Sequence, residues 1–69
     1  MTESIYKVIE LVGSSENSWE EAVSNAVSKA AETLRDIRIC EVEKLDTKII
    51  DNKIVSFRAR IKLSFKYEG

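Results

Sequence analysis

The sequence predicts a single small α+β domain of β-α-β-β order, in which one helix packs on a three-stranded antiparallel sheet. Three observations lead to this prediction. A run of β-branched and apolar residues near the start is followed by a capped stretch of helical period, and the last part of the chain alternates between apolar and polar residues. Residues 1–69 then form one domain, with strands at about 4–12, 37–50 and 53–67 and a helix at about 18–35.

The first strand is predicted from residues 5–12, which are rich in β-branched and apolar side chains. Residues 13–15 read Gly-Ser-Ser, a composition typical of a turn. We therefore expect the strand to end near Val12.

The helix is predicted from a capping box at residues 18–21, which read Ser-Trp-Glu-Glu. In this motif the Ser18 hydroxyl accepts a hydrogen bond from the Glu21 backbone N–H, and the Glu21 carboxylate reaches back to the Ser18 N–H. The residues behind the cap form one apolar stripe of helical period: Trp19, Ala22, Val23, Ala26, Val27, Ala30 and Leu34. Because most of these side chains are small, we expect the helix to lie close against the sheet.

The last two strands are predicted to form a hairpin around Asp51 and Asn52, which tolerate the positive φ of a tight turn. A turn centred there fixes the register. It pairs opposite charges on one face and apolar side chains on the other: Glu43 with Arg60, Glu41 with Lys62, Val42 with Ile61 and Cys40 with Leu63. The face turned away from the helix is predicted to carry Ile37, Ile39 and Leu45 beside the charged rows.

The small size of the chain favours self-association. A single core in 69 residues contributes roughly 3–5 kcal/mol, so such domains usually need disulfides, a metal or partner subunits. Cys40 is the only cysteine and histidine is absent, so neither an intrachain disulfide nor a zinc cluster is predicted. The uncovered sheet face could still simply be solvated, so the pattern suggests assembly without establishing it.

Catalysis is not predicted. The chain has no histidine to move protons, and Cys40 has no imidazole to activate it. Glu41 and Glu43 share a strand face and would suit an acid–base pair. We interpret them instead as cross-strand partners of Lys62 and Arg60.

Nucleic acid and membranes are not predicted as partners either. One face of the last strand carries a basic row: Arg58, Arg60, Lys62 and Lys66. Sheets that bind RNA interleave such charges with exposed aromatic rings, whereas the aromatic residues here fall on the opposite face. The net charge of −1 also gives no bulk attraction to polyanions or anionic lipid.

A cytoplasmic protein is expected from three further features. The first residues carry mixed charge and no apolar run of signal-peptide length. No stretch approaches the ~20 apolar residues of a membrane span, and Cys40 is unpaired.

The chain resembles the dodecin family in order and length. Residues 5–15 (Ile-Tyr-Lys-Val-Ile-Glu-Leu-Val-Gly-Ser-Ser) are similar to the dodecin opening, and a matching helix follows over 19–35. Glu41-Val42 and the closing Ser64-Phe65-Lys66 complete the similarity. The resemblance implies a subunit whose sheet wraps the helix and which assembles with copies of itself into a hollow homododecamer. Many such shells store flavins.

The resemblance also implies a weakened flavin site. Ile39 stands where the flavin-binding members have a tryptophan that stacks on the ring, and Cys40 stands at the neighbouring phenylalanine. Arg58 replaces a glutamine that bonds the ring edge, and Asp46 replaces a basic residue. An aliphatic side chain offers no π-stack, and an arginine only donates hydrogen bonds. We therefore take Ile39, Asp46 and Arg58 as the candidate ligand-binding residues and expect weak affinity for riboflavin or FMN.

A second dodecin branch is the nearer likeness. Trp19-Glu20, Asp-Ile-Arg at 36–38 and Arg58 resemble a branch that lacks the flavin tryptophan and includes a calcium-binding member. The resemblance implies calcium as an alternative ligand, and several copies could contribute the candidate carboxylates: Glu41, Glu43, Asp46 and Asp51. Arg58 and Arg60 could instead attract an anion such as a phosphate or a nucleotide. Trp19 is interpreted as packing at the helix start or as a subunit contact.

Overall fold

The computed structural model describes residues 5–67. In chain order the elements are β1 (Tyr6–Ser15), α1 (Trp19–Ala30), β2 (Ile37–Ile50) and β3 (Lys53–Lys66). The antiparallel sheet has the order β1-β3-β2, so β3 is central and the other two strands are edges. The predicted β-α-β-β fold is confirmed. The predicted strand start at residue 4 and the end of the alternation at Glu68 lie outside the described residues.

The core lies between α1 and the two strands that it covers, β1 and β3. Its buried members come from the small face of the helix and the centre of β3: Ala22, Ala26, Ala30, Ala59, Ile61 and Leu63. The alanines let the helix approach closely, as the sequence predicts. Within residues 5–67, no helix is long and apolar enough to cross a membrane.

β1 does not end at Val12, so that prediction is wrong. The strand continues through Ser15, with Gly13 opposite Ala59 and Ser15 opposite Phe57. Gly13 has no positive φ. A Cβ atom there would overlap the Ala22 carbonyl oxygen and lie 2.9 Å from Ala26 Cβ. The glycine therefore makes room for the helix instead of forming a turn.

The capping box is half confirmed. Glu21 N donates to Ser18 Oγ over 3.0 Å, as predicted. The Glu21 carboxylate does not return to Ser18; its Oε1 accepts from Ser15 Oγ at 2.6 Å and from Asn17 Nδ2 at 2.8 Å. Because β1 runs on to Ser15, that buried hydroxyl reaches the carboxylate first. These hydrogen bonds, chiefly the one from Ser15, lower the pKa of Glu21.

The helix ends at Ala30 instead of near residue 35. The next turn tightens, because the backbone N–H groups of Glu32 and Thr33 donate three residues back, to Lys29 and Ala30. Leu34 still packs against the core, although it lies beyond the helix. The apolar stripe thus continues past the end of the helix, which explains why the sequence predicts a helix that extends to about residue 35.

The β2–β3 turn and part of the predicted register are confirmed. Asp51 and Asn52 have φ of 52° and 63°. The pairings of Cys40, Glu41 and Val42 with β3 are as predicted: Cys40 with Leu63, Glu41 with Lys62 and Val42 with Ile61. Glu43 does not pair with Arg60, which lies opposite Lys44.

β-Bulges explain the difference. Val55 is an extra residue on β3 and Glu43 is an extra residue on β2, so the register shifts by one between them and then returns. A third irregularity adds Arg38 on β2. Each extra residue turns the side chains beyond it to the other face of the sheet.

These bulges also correct the predicted sheet faces. Ile37 lies opposite Phe65 and Leu45 lies opposite Ala59, so both are on the helix side instead of the uncovered side. Ile39 remains on the uncovered side, opposite Ser64. We call this side the outer face. Along β2 and β3 it is formed by Ile39, Glu41, Lys44, Asp46, Arg58, Arg60, Lys62 and Ser64.

Candidate functional site

The centre of the candidate site is a bidentate ion pair between Arg58 and Asp46 on the outer face. Arg58 Nε donates to Asp46 Oδ1 over 2.7 Å, and Nη2 donates to Oδ2 over 2.9 Å. The Val55 bulge brings the two residues opposite each other, since an unshifted register would align Asp46 with Phe57. The hydrogen bonds from Arg58 lower the pKa of Asp46, and the same contact raises the pKa of Arg58.

Trp19 forms a second contact with Asp46, through the backbone of that residue. Its indole Nε1 donates to the Asp46 backbone oxygen over 3.0 Å. Its ring packs edge to face on Phe57, with centroids 5.0 Å apart and an angle of 75°. The packing role of Trp19 is therefore present, while 38% of the residue stays exposed. Sequence reasoning missed this contact because 27 residues separate the partners and no short motif links them.

A second charged cluster spans all three strands of the outer face. Lys62 Nζ lies 3.1 Å from Glu43 Oε2, and Arg60 Nη1 lies 4.0 Å from Glu10 Oε1. A hydrogen bond with Glu10, followed by contact with Lys62, lowers the pKa of Glu43. The bulge thus makes Glu43, instead of the directly opposite Glu41, the ion-pair partner of Lys62.

Ile39 stands apart from the ion pair within one chain. It is 63% exposed on the outer face. Its partner Ser64 is six positions along β3 from Arg58, a separation of about 20 Å at the usual rise of a strand. The structure therefore brings Asp46 and Arg58 together and leaves Ile39 distant from both.

The metal candidates do not form a site in one chain. Among residues 5–67, no group of three or more Cys, Asp or Glu side chains is arranged to hold a metal ion. Glu41 lies opposite Lys62. Both Glu43 and Asp46 form ion pairs, and Asp51 lies in the hairpin turn. A cation site would therefore need carboxylates from a neighbouring copy.

Cys40 is a partly buried thiol that packs against the core. Burial raises its pKa, which keeps the thiol protonated. This arrangement suits a structural side chain and does not suit a nucleophile.

Apolar surface is exposed in two regions of the described chain. A groove of about 580 Å³ between β1 and α1 is lined in part by Ile9, Leu11, Ala26, Ala30 and Leu34. The end of the β2–β3 hairpin also exposes branched apolar side chains: Ile49, Ile50, Ile54 and Val55.

Fold and surface together define a class: a small α+β subunit with one helix on an antiparallel sheet, two open edges and a charged uncovered face. The sequence profile of the family described as Dodecin matches residues 5–68. The chain belongs to the dodecin family.

Individual relatives agree over almost their full length. The chain is 36% identical over 63 residues to the calcium dodecin of Mycobacterium tuberculosis, covering 91% of this chain and 89% of that protein. It is 31% identical over 64 residues to the dodecin of Thermus thermophilus, covering 93% of each. The solved dodecin of Streptomyces coelicolor superposes with a TM-score of 0.93 at 35% identity, covering 100% of this chain and 99% of that one.

Proposed function

We propose that this protein assembles with copies of itself into a hollow dodecin shell that binds a small ligand where the outer faces of neighbouring copies meet. The observation that carries the proposal is the apolar surface that one chain leaves open. Ile39 is 63% exposed and Ile54 is 57% exposed, while the fully buried large side chains are only Ile61 and Leu63 among the described residues. Burial of this surface between copies would supply stability that so small a core lacks.

The separation of the candidate residues supports a site shared between copies. Ile39 and the Asp46–Arg58 pair lie about 20 Å apart along one sheet. A single small ligand cannot contact both in one chain. A neighbouring outer face would bring the Ile39 of one copy to the ion pair of another. The unpaired Cys40 suits a reducing compartment, so the proposed shell is cytoplasmic.

Flavin is proposed as a weak ligand. Ile39 provides no aromatic ring, and the guanidinium of Arg58 is already engaged by Asp46 at two points. The same engagement argues against Arg58 as an anion site. Titration of riboflavin or FMN fluorescence with the assembled protein is expected to show weak quenching without a sharp equivalence point. Strong stoichiometric quenching would contradict this view.

A double substitution tests whether the missing ring is the cause. Ile39→Trp with Arg58→Gln should increase flavin affinity by at least about tenfold, because a stacked ring contributes roughly 1–3 kcal/mol. The matched control is Ile54→Trp with Arg58→Gln, which adds the same ring at the hairpin end, away from the outer-face site. Equal affinities in the two variants, with the assembly intact, would show that Ile39 does not line the ligand site.

Calcium is the second candidate ligand. The 36% identity with a protein named calcium dodecin favours it, as does the presence of two acids, Glu10 and Glu43, in one charged cluster on the outer face. Isothermal titration with calcium chloride should show binding that Glu43→Gln abolishes. Glu32→Gln, which removes an acid from the exposed Lys29–Glu32 pair at the end of α1, should leave it unchanged. Absence of calcium binding by the assembled protein would rule this candidate out.

A further inference from the structure

Trp19, in the first turn of α1, contacts both strands of the hairpin at the candidate site. Its indole Nε1 donates to the Asp46 backbone oxygen on β2 over 3.0 Å, and its ring packs on Phe57 of β3 with centroids 5.0 Å apart. The helix start is itself held in place, because Ser18 caps it and Ala22 is fully buried. One side chain therefore connects a fixed helix end to two strands at a single point.

The alignment of these strands is unusual over residues 44–48, which we call the shifted stretch. Between the extra residues Glu43 and Val55, each residue of this stretch pairs one position later on β3 than the hairpin turn alone would give. Asp46 thereby lies opposite Arg58. A return to the unshifted register would place Asp46 opposite Phe57 and turn its side chain to the helix side. The Arg58–Asp46 ion pair therefore depends on the shifted register.

Other interactions fix this register only weakly. Leu45 is 51% exposed, and Thr47 is the one partly buried residue of the shifted stretch, so little apolar surface would be lost by a slip. β2 is an edge strand, with a neighbour on one side only. The ion pair itself is exposed to solvent, and exposed ion pairs contribute little to stability.

The two contacts of Trp19 provide what these interactions lack. A slip of β2 by one residue would move the Asp46 oxygen by about 3.3 Å along the strand, which no hydrogen bond from a fixed donor tolerates. The packing on Phe57 meanwhile fixes the indole relative to β3. Trp19 thus contacts the two residues that the unshifted register would align with each other.

We propose that Trp19 is a positioning residue for the outer-face site, which keeps the shifted stretch in the register that places Asp46 opposite Arg58. The inference rests on the proposed function in one respect, namely that the Arg58–Asp46 pair belongs to the shared ligand site. The effect of Trp19 on the pair itself is independent of the ligand and of its identity.

Hydrogen exchange of the assembled protein tests the proposal, because it reports how often each backbone segment opens. Trp19→Phe retains a ring against Phe57 and removes the donor to Asp46, so exchange of the protected amides in residues 44–48 should become about fivefold faster. Trp19→Leu also removes the ring contact, and the increase should reach at least about tenfold. Residues 40–42, which precede the Glu43 bulge on the same strand, should change less than about twofold.

Leu34→Ala is the matched control. Leu34 packs against the core beyond the other end of α1, so its truncation weakens the packing of the helix without removing either contact of Trp19. This variant should not accelerate exchange in the shifted stretch selectively.

The pKa of Asp46 gives a second readout, which a purely structural role of Trp19 would not change. Hydrogen bonds from Arg58 lower this pKa below its ordinary value of 3.8. Trp19→Phe should raise the pKa toward 3.8, because the guanidinium and the carboxylate would lose their alignment. NMR titration of carboxyl-labelled aspartate measures the change, and Leu34→Ala should cause none.

The proposal is overturned if Trp19→Phe, folded by circular dichroism, leaves both the exchange of residues 44–48 and the pKa of Asp46 unchanged. It is also overturned if residues 40–42 accelerate as much as the shifted stretch, since that would indicate general loosening of the strand. Either result would leave the proposed shell intact. A monomeric native mass of the unmodified protein would instead count against the shell and leave the role of Trp19 within one chain standing.

Discussion

At the scale of single residues, Gly13 sets how closely the helix can approach the sheet. Gly13 has no side chain, and the Ala22 carbonyl oxygen and the Ala26 Cβ atom occupy the place where a Cβ atom of residue 13 would lie. Both alanines are buried, so neither can move into solvent to admit another atom.

Gly13→Ala is therefore expected to lower the free energy of unfolding by about 1–3 kcal/mol, as overpacking does in a tight core. Chemical denaturation followed by circular dichroism measures this change. Ser14→Ala is the control, because Ser14 is exposed and its backbone oxygen, not its side chain, accepts from Asn25. Equal stability of the two variants would show that the helix does not pack this closely.

Glu21 provides a pH-dependent test at the same scale. Hydrogen bonds from Ser15 and Asn17 lower its pKa below the ordinary value of 4.5. The stabilising contribution of the ionised group is therefore complete above pH 4.5 and is lost as the pH falls through the lowered pKa. NMR titration of the Glu21 side chain should show this lowered pKa.

Ser15→Ala should raise the pKa of Glu21 toward its ordinary value, because it removes the hydrogen bond that lowers this pKa most. Ser24→Ala, on the exposed side of the helix, is the control and should leave the titration unchanged. An unaltered pKa in Ser15→Ala would contradict the hydrogen bond between Ser15 and Glu21.

At the scale of elements, the β2–β3 hairpin depends on two consecutive residues with positive φ. Asn52 has a φ of 63° and tolerates it better than most residues with a Cβ atom. Asn52→Ala should lower the free energy of unfolding by about 1 kcal/mol, whereas Asn52→Gly should not destabilise the protein. Thermal denaturation measures both variants. A larger loss for glycine than for alanine would contradict the turn geometry.

Periodicity predicts the helix and the last strand in this chain, because the period changes from 3.6 in the first to 2 in the second. Composition and the Asp51-Asn52 turn predict the other two strands. The bulges at Glu43 and Val55 could not be predicted, since no residue type marks them. The sequence predicts a turn at Gly13 for a related reason. Composition does not distinguish a glycine that forms a turn from one that makes room for a helix.

The candidate site could be predicted only in part. The family resemblance indicates Asp46 and Arg58 as site residues, but their direct pairing depends on the one-residue shift at Val55. The contact of Trp19 with Asp46 depends on how the helix lies across the hairpin. Sequence spacing contains no information about such a long-range contact.

At the scale of the whole molecule, the chain is elongated, with extents of 55 × 21 × 16 Å. An extended hairpin with exposed apolar side chains at its end is poorly suited to a stable monomer. If assembly supplies the missing burial, stability must depend on protein concentration. The unfolding midpoint should therefore rise when the concentration increases from the low micromolar range, and a constant midpoint would indicate that the single chain is stable by itself.

Native mass spectrometry of freshly purified protein tests the central claim most directly, because it reports subunit number and retained ligand together. Twelve copies of the 7.9 kDa chain predict a mass of about 95 kDa, with any bound ligand added to it. A mass corresponding to a folded monomer or dimer at micromolar concentration would contradict the shell and the shared outer-face site.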